Sequence, residues 1–224
     1  AALEKLAADG TLQATYGYAG GNAPAVTGSD GVQYCYVVNT ARLTDAETRL
    51  AVKQLAAGEE VTGTLPGEIT LLMPDYAAAA ETAGADELRQ RAEQAGVTLN
   101  LQKLSYEEYK TARENGGYDL LYLAVSADYP DEAVLLGRFV SEAAGNYAGY
   151  NNEKFDELLS KAAAETDEAA RAALLQEARL LLESDGVLIP WGEGKTELYC
   201  NAALSGITCD AQGLWDFGGA KYAA

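Results

Sequence analysis

No histidine occurs anywhere in the 224 residues. The side chain that most often serves as general base and as neutral metal ligand is therefore absent. A Ser-His-Asp or Cys-His catalytic site is excluded within this chain, and so is a zinc site that needs histidine. Cysteine is scarce: Cys35, Cys200 and Cys209 are the three, and no two form a CxxC pair. Cys200 and Cys209 stand close enough in sequence to bridge a short loop, and two separate buried thiols fit the same spacing. Basic charge is short as well, with 16 Lys and Arg against 34 Asp and Glu, a net charge of −18. Such a surface repels phosphate backbones, which argues against nucleic acid as a partner. It accommodates cationic ligands, or it serves solubility alone. No apolar run reaches membrane-spanning length. The chain opens Ala1-Ala2-Leu3 without an initiating Met or a signal peptide, so it is expected to be processed or excised.

What is present is the alternation of an α/β domain. Hydrophobic residues make up 48% of the chain, enough for one good core or two small ones. A helix is expected over residues 1–9, a strand over 11–18, a Gly-rich loop over 17–30 and a strand over 32–39. Thr44-Asp45-Ala46-Glu47 reads as a capping box that opens a helix to about Ala57. Strands follow at 68–73, ended by Pro74, and at 97–101, with a helix between them that is firmest from Asp86 and stops at Gly96. Ser105-Tyr106-Glu107-Glu108 is a second capping box. Phe155, Leu158, Leu159, Ala162 and Ala163 recur at helical spacing, and Thr166 is placed to cap the next helix. That helix presents Ala170, Leu174, Ala178, Leu181 and Leu182 as its stripe. Strands are expected at 187–191, 196–200 and 204–207. The order β-α-β-α-β, then a helical pair, then short strands, predicts a sheet that is at least partly parallel.

The stretch around which the chain is organised is Tyr118 to Val125, a near-continuous apolar run of the kind buried on both faces of a parallel sheet. Polarity changes abruptly at Ser126-Ala127-Asp128-Tyr129-Pro130-Asp131. Pro130 cannot join a ladder, so the strand ends by about Ser126 and Asp128 lies just past its carboxyl end. Ligands bind at that end of open α/β sheets. An Asp-Pro turn that caps the following helix to about Val140 accounts for the same residues locally.

Several segments in order resemble the extracellular solute-binding proteins of peptide and nickel ABC importers. They are Tyr36-Val37-Val38-Asn39 with Asp45 and Arg49, then Gly117-Tyr118-Asp119-Leu120, then Ala127-Asp128-Tyr129-Pro130-Asp131. Asn146-Tyr147-Ala148-Gly149-Tyr150-Asn151-Asn152 leading to Phe155-Asp156, and Leu188-Ile189-Pro190-Trp191, complete the set. The resemblance runs from about residue 32 to 210. It lacks the family's whole first lobe, and the segment from Gly58 to Gly67 is shorter than the family's. It implies that residues 1–224 form a single α/β lobe of the type II periplasmic-binding-protein kind, with a mixed, mostly parallel sheet flanked by helices. It implies the second, ligand-binding lobe of an extracellular or periplasmic receptor, membrane-tethered in the full-length protein, that delivers a peptide or other small solute to the membrane subunits of an ABC importer. Its partners would include the missing first lobe. Asp128 would meet the ligand's ammonium, with Ser126, Tyr129, Asn146, Tyr147 and Trp191 around the ligand; loop packing for Tyr147 and a core anchor for Trp191 are the local alternatives. Export would favour a disulfide between Cys200 and Cys209.

Two other classes compete. Asp128 with Asp131 could mimic an acid/base pair, but nothing supplies a nucleophile, an oxyanion hole or a metal cluster, so no catalytic residue, cofactor or metal ligand is assigned. A non-catalytic structural or interaction domain without a small ligand is the second.

Overall fold

The computed structural model describes residues 14–16, 25–77, 79–126, 132–210 and 213–222. In chain order the strands are β1 Ala14–Tyr16, β2 Ala25–Val38, β3 Glu68–Pro74, β4 Thr98–Leu104, β5 Leu120–Ser126, β6 Leu188–Cys200 and four two-residue strands, β7 Leu204–Ser205, β8 Thr208–Cys209, β9 Trp215–Asp216 and β10 Lys221–Tyr222. The helices are α1 Ala46–Ala57, α2 Ala79–Gln94, α3 Tyr106–Asn115, α4 Ala133–Leu136 with a 3-10 turn at Gly137–Phe139, α5 Glu153–Ala164 and α6 Glu168–Ser184. The chain divides into two compact units. Tyr34–Val125 with Asp131–Gly192 make the larger, and the remaining described residues make the smaller.

In the larger unit the strands lie in the order β6-β2-β5-β3-β4. β3 runs parallel to β4, Ile69 opposite Leu99, and parallel to β5, Leu71 opposite Leu120. Alternation along the strands divides the core between two faces. Leu121, Leu123 and Val125 of β5, with Cys35 and Val37 of β2, pack under Tyr109 of α3, Leu136 of α4, Phe155 and Leu158 of α5, and Leu175, Ala178 and Leu182 of α6. Leu120 and Tyr122, with Tyr36 and Val38, face Val52 and Leu55 of α1 and Ala85, Leu88 and Ala92 of α2. Each such aliphatic or aromatic side chain contributes about 1.5–3 kcal/mol when fully buried. The largest fully buried side chains in these layers, Tyr36, Ile69, Leu71, Leu72, Met73, Leu88, Leu120, Leu121, Leu136, Phe155 and Leu182, are under 2% exposed, so the sheet is sandwiched between helices.

The described residues of the smaller unit make a small core. β1 pairs antiparallel with β6, Ala14 opposite Cys200, β7 pairs with β10 and β8 with β9. Among the described residues, Leu198, Cys200 and Ile207 form a buried hydrophobic cluster there, with Ala14, Val26, Leu204 and Trp215 partly buried against it, and Tyr199 is buried as well.

The expected alternation of the larger unit holds, and the departures have local causes. Asp45, not Thr44, caps α1, its carboxylate accepting from the Thr48 amide at 2.8 Å. Thr44 instead gives its carbonyl to Arg49. Asp167, not Thr166, caps α6, accepting from the Ala170 amide at 2.8 Å. The buried stripe of α6 is Leu175, Ala178 and Leu182, with Leu174 and Leu181 half-buried and Ala170 exposed. β2 begins at Ala25, inside the expected loop, and β6 runs unbroken through Gly192 and Gly194. Glycine there serves close approach rather than turning: a Cβ on Gly28 would collide with Cys209, and one on Gly194 with the Asp30 carboxylate. The helix expected from Asp131 to Val140 is a single turn, Ala133–Leu136, passing into the 3-10 turn. The expected helix over 1–9, and Asp131 as a cap, lie outside the described residues.

Candidate functional site

Parallel β3, β4 and β5 place their amino ends on one edge of the sheet and their carboxyl ends on the other. At the amino edge every motif residue is engaged with the protein itself. Asp119, 6% exposed, accepts from Arg42 Nε at 2.7 Å and from the Thr70 amide at 2.8 Å, tying the starts of β5 and β3 together. Asn39 donates from Nδ2 to Gly116 O at 3.0 Å and Tyr118 O at 3.1 Å, while its Oδ1 accepts from the Ala41 amide. Arg49 donates to Asp185 O, Leu43 O and Thr44 O. These groups are the reason the family-like residues occur where they do: they satisfy buried backbone that the β-to-α connections would otherwise leave unpaired.

Asn146 and Tyr147 belong to this same closed edge. Asn146 donates to Tyr150 O at 2.8 Å and accepts from the Tyr150 amide at 3.1 Å, folding its own loop. The Tyr147 carbonyl accepts from Tyr118 Oη at 2.8 Å, and Thr40 holds Ala148 O and Gly149 O. The Tyr147 ring lies under the Arg113 guanidinium, 4.2 Å from its centroid, with Tyr109 on another side of that cation at 5.5 Å. Burial pushes the Tyr109 hydroxyl up to about 12, against the opposing pull of Arg113, and that hydroxyl donates to Tyr122 O at 2.8 Å. The loop packing foreseen for Tyr147 is therefore what the fold contains.

Trp191 is on the opposite face of the sheet. It stacks on Tyr34 and Tyr36, ring centroids 5.2 and 5.5 Å away, and packs so tightly on α2 that a Cβ at Gly84 would overlap its ring. Trp191 is a half-buried anchor of the α1/α2 layer. The structure keeps Trp191 apart from Asn146 and Tyr147, which share one loop. Ser126 ends β5, whereas Asp128 and Tyr129 lie outside the described residues.

The carboxyl edge differs. β3 leads into Asp75 and Tyr76, and β4 leads through Ser105 into Tyr106. The Asp75 amide donates to Leu104 O at 2.8 Å, which holds the two exits side by side. Tyr76 and Tyr106 are 59% and 61% exposed, with ring centroids 6.3 Å apart and planes tilted by 44°. A large apolar ring exposed at a sheet edge is uncommon enough to carry meaning when two stand together. Glu108 fixes the second exit by accepting from the Ser105 amide at 3.2 Å and Ser105 Oγ at 2.6 Å, the expected capping box. Those hydrogen bonds hold the Glu108 carboxyl below its ordinary range. Sequence inspection missed the tyrosine pair because 30 residues separate its members; only the parallel pairing of β3 and β4 joins them.

Cys200 and Cys209 are not joined; all three cysteines are free thiols. The two meet β2 at different residues, Cys209 Sγ donating to Ser29 O at 3.5 Å and Cys200 receiving the Val26 amide. Among the described residues no group of three Cys, Asp or Glu could hold a metal ion, and no helix is long and apolar enough to cross a membrane.

Comparison with known proteins agrees with the resemblance read from the motifs. No protein-family model matches the chain. The periplasmic oligopeptide-binding protein OppA of Salmonella typhimurium is 27% identical over 109 residues, 49% of this chain and 19% of its own length. The structure of HbpA2 from Haemophilus parasuis superposes with a TM-score of 0.79 at 15% identity, covering 100% of this chain and 56% of that one. The murein tripeptide binding protein MppA of Escherichia coli superposes with a TM-score of 0.69 at 17% identity, covering 92% of this chain and 52% of that one. The fold is thus the α/β fold of type II periplasmic-binding proteins, and the neighbours include a periplasmic oligopeptide-binding protein, a murein tripeptide binding protein and the substrate-binding domain of an oligopeptide ABC transporter. The chain spans about half the length of the solved relatives it matches.

Proposed function

We propose that this chain is the ligand-binding lobe of a two-lobed extracellular or periplasmic receptor, tethered to the membrane in its full length, that passes a peptide or similar small solute to the membrane subunits of an ABC importer. The lobe performs no catalysis; it grips. Its working surface is the carboxyl edge of β3, β4 and β5, and residues 1–224 act as one lobe whose first-lobe partner closes over the ligand. The observation that carries this reading is the contrast at the two sheet edges: polar side chains at the amino edge are consumed by internal hydrogen bonds, whereas the carboxyl edge presents Tyr76 and Tyr106 to solvent. The chain leaves β5 at that same edge, two residues before Asp128.

In this reading Asp128 takes the ligand's ammonium. A carboxylate accepts several hydrogen bonds from an α-ammonium, and a charge-assisted bond in a closed cleft is roughly twice as strong as a neutral one. Ser126 and Tyr129 flank it, while Asn146, Tyr147 and Trp191 serve the scaffold. Asp128→Asn tests the assignment by calorimetric titration and thermal melting of the two-lobed protein. Unchanged melting with peptide affinity weaker by about 2–5 kcal/mol is expected. A lowered melting temperature with unchanged affinity would make Asp128 a cap of the following helix instead.

A further inference from the structure

The sheet face covered by α1 and α2 holds a recess over β2 and β6 with a volume of about 220 Å³. Tyr36, Ala57, Glu87, Arg91 and Trp191 are among its walls, and neither Tyr76 nor Tyr106 is. Two of these residues carry donors without acceptors. Tyr36 is fully buried, and its Oη has no hydrogen-bond partner among the described residues. The Trp191 indole Nε1–H is enclosed in the same way. The two rings stack 5.5 Å apart, and packing alone asks only for rings. A buried hydroxyl or indole N–H ordinarily finds an acceptor, because leaving it unpaired costs its desolvation. Charge stands beside them. Arg91 donates from Nη1 to Ala56 O and from Nη2 to Glu87 Oε1 at 2.7 Å, which leaves N–H groups to spare on the guanidinium and Oε2 to spare on Glu87. Burial pushes the Tyr36 hydroxyl up, while Arg91 opposes the shift and Glu87 adds to it, which sets Oη within the field of both charges. Ala57 is the last residue of α1, so the negative end of that helix dipole also lies at the recess.

We propose that this recess binds a single free amino acid, or a zwitterion of that size, with its carboxylate on Tyr36 Oη and Arg91 and its ammonium on Glu87 and the carboxyl end of α1. Size sets the first limit. A volume of about 220 Å³ is the share of about seven waters and falls below the roughly 300 Å³ at which pockets for drug-sized ligands begin, so a peptide does not fit. Charge sets the second. Arg91 and Glu87 balance each other, and the chain as a whole carries −18, so a net anion is repelled. A simple cation makes no use of the enclosed donors. A zwitterion brings an acceptor to Tyr36 and a positive charge to Glu87, and adds no net charge to a site that is already balanced.

The walls of the recess all belong to these 224 residues, so the chain itself is titrated and peptide binding plays no part in the readout. A thermal-shift screen of the common free amino acids finds the best ligand. Calorimetric titration then compares it with its amide, which lacks the carboxylate, and with its N-acetyl twin, which lacks the ammonium. The free amino acid is expected to bind, and each twin to bind about ten-fold or more weakly. Tyr36→Phe keeps the ring stack and removes only the unpaired hydroxyl. It should leave the melting of the ligand-free chain unchanged or higher and weaken binding about ten-fold. Glu87→Gln should weaken binding to a similar extent. No binding by any free amino acid overturns the assignment, and so does equal binding of the two twins. A Tyr36→Phe chain that melts lower without ligand would mean that the hydroxyl is already paired and the recess holds water only. Amino-acid binding that survives both substitutions would lie elsewhere, the carboxyl edge included, and would overturn the site as well.

Discussion

The two edges of the main sheet are built from the same strands and do opposite things with polar residues. At the amino edge Asp119, Asn39, Arg49 and Asn146 are spent on backbone groups, and Arg42 and Tyr118 complete the closure. At the carboxyl edge the exits of β3 and β4 are pinned by a main-chain bond and a capping box, and the side chains beyond them are left in solvent. A closed edge stabilises; an open, rigidly backed edge is available to bind. The contrast teaches that residues legible as a family pattern can serve the scaffold, since Asn39, Arg49, Asp119 and Asn146 all hydrogen-bond within the protein at one edge.

Substitution at each edge should separate stability from binding. The largest effect is expected at Asp119. Asp119→Ala strips the Thr70 amide and the Arg42 guanidinium of their acceptor, and urea denaturation should show a loss of about 3 kcal/mol. Gly84→Ala comes next. On an exposed helix this change is favourable, but here the new methyl would enter the Trp191 ring, so a loss of about 1–3 kcal/mol is expected. A melting curve that rises would contradict the packing of α2 on Trp191.

Acidification gives a smaller, diffuse effect. The Asp45 and Glu108 carboxyls both sit below their ordinary range, Asp45 because the Thr48 backbone and side chain hydrogen-bond to it, Glu108 because Ser105 does. A depressed folded-state pKa contributes stability above the unfolded value and loses it as pH falls through the folded one. Melting temperature should therefore drop below the ordinary carboxylate range, and Glu108→Gln should flatten that drop. The smallest stability effect belongs to the open edge: Tyr76→Ala and Tyr106→Ala should each change stability by no more than about 0.5 kcal/mol while weakening peptide binding by the two-lobed receptor. A thiol titration sharpens the cysteine result, with three reactive thiols expected on denaturation without reductant.

How far the sequence went follows the same division. The buried strand at 118–125, the alternation of strands and helices and the Ser105–Glu108 capping box rest on short-range patterns, and all three are present. The caps at Asp45 and Asp167 were displaced by one residue because a Thr-Asp pair offers two adjacent acceptors and only the final geometry chooses. Gly28 falls in the expected loop and Gly194 between two expected strands, because a single sequence cannot distinguish turning from close approach. The placement of Trp191, Tyr147 and the Tyr76–Tyr106 pair was set by which strands became neighbours, a long-range choice without a local signature.

The account's central claim is that the carboxyl edge reads the free ammonium of a ligand through Asp128. It is tested most directly by calorimetric titration of the wild-type two-lobed receptor with one peptide and with its N-acetylated twin. The free peptide should bind more tightly by about 2 kcal/mol or more, since acetylation removes the charge proposed to pair with the Asp128 carboxylate. Equal affinity for the two peptides would contradict the claim.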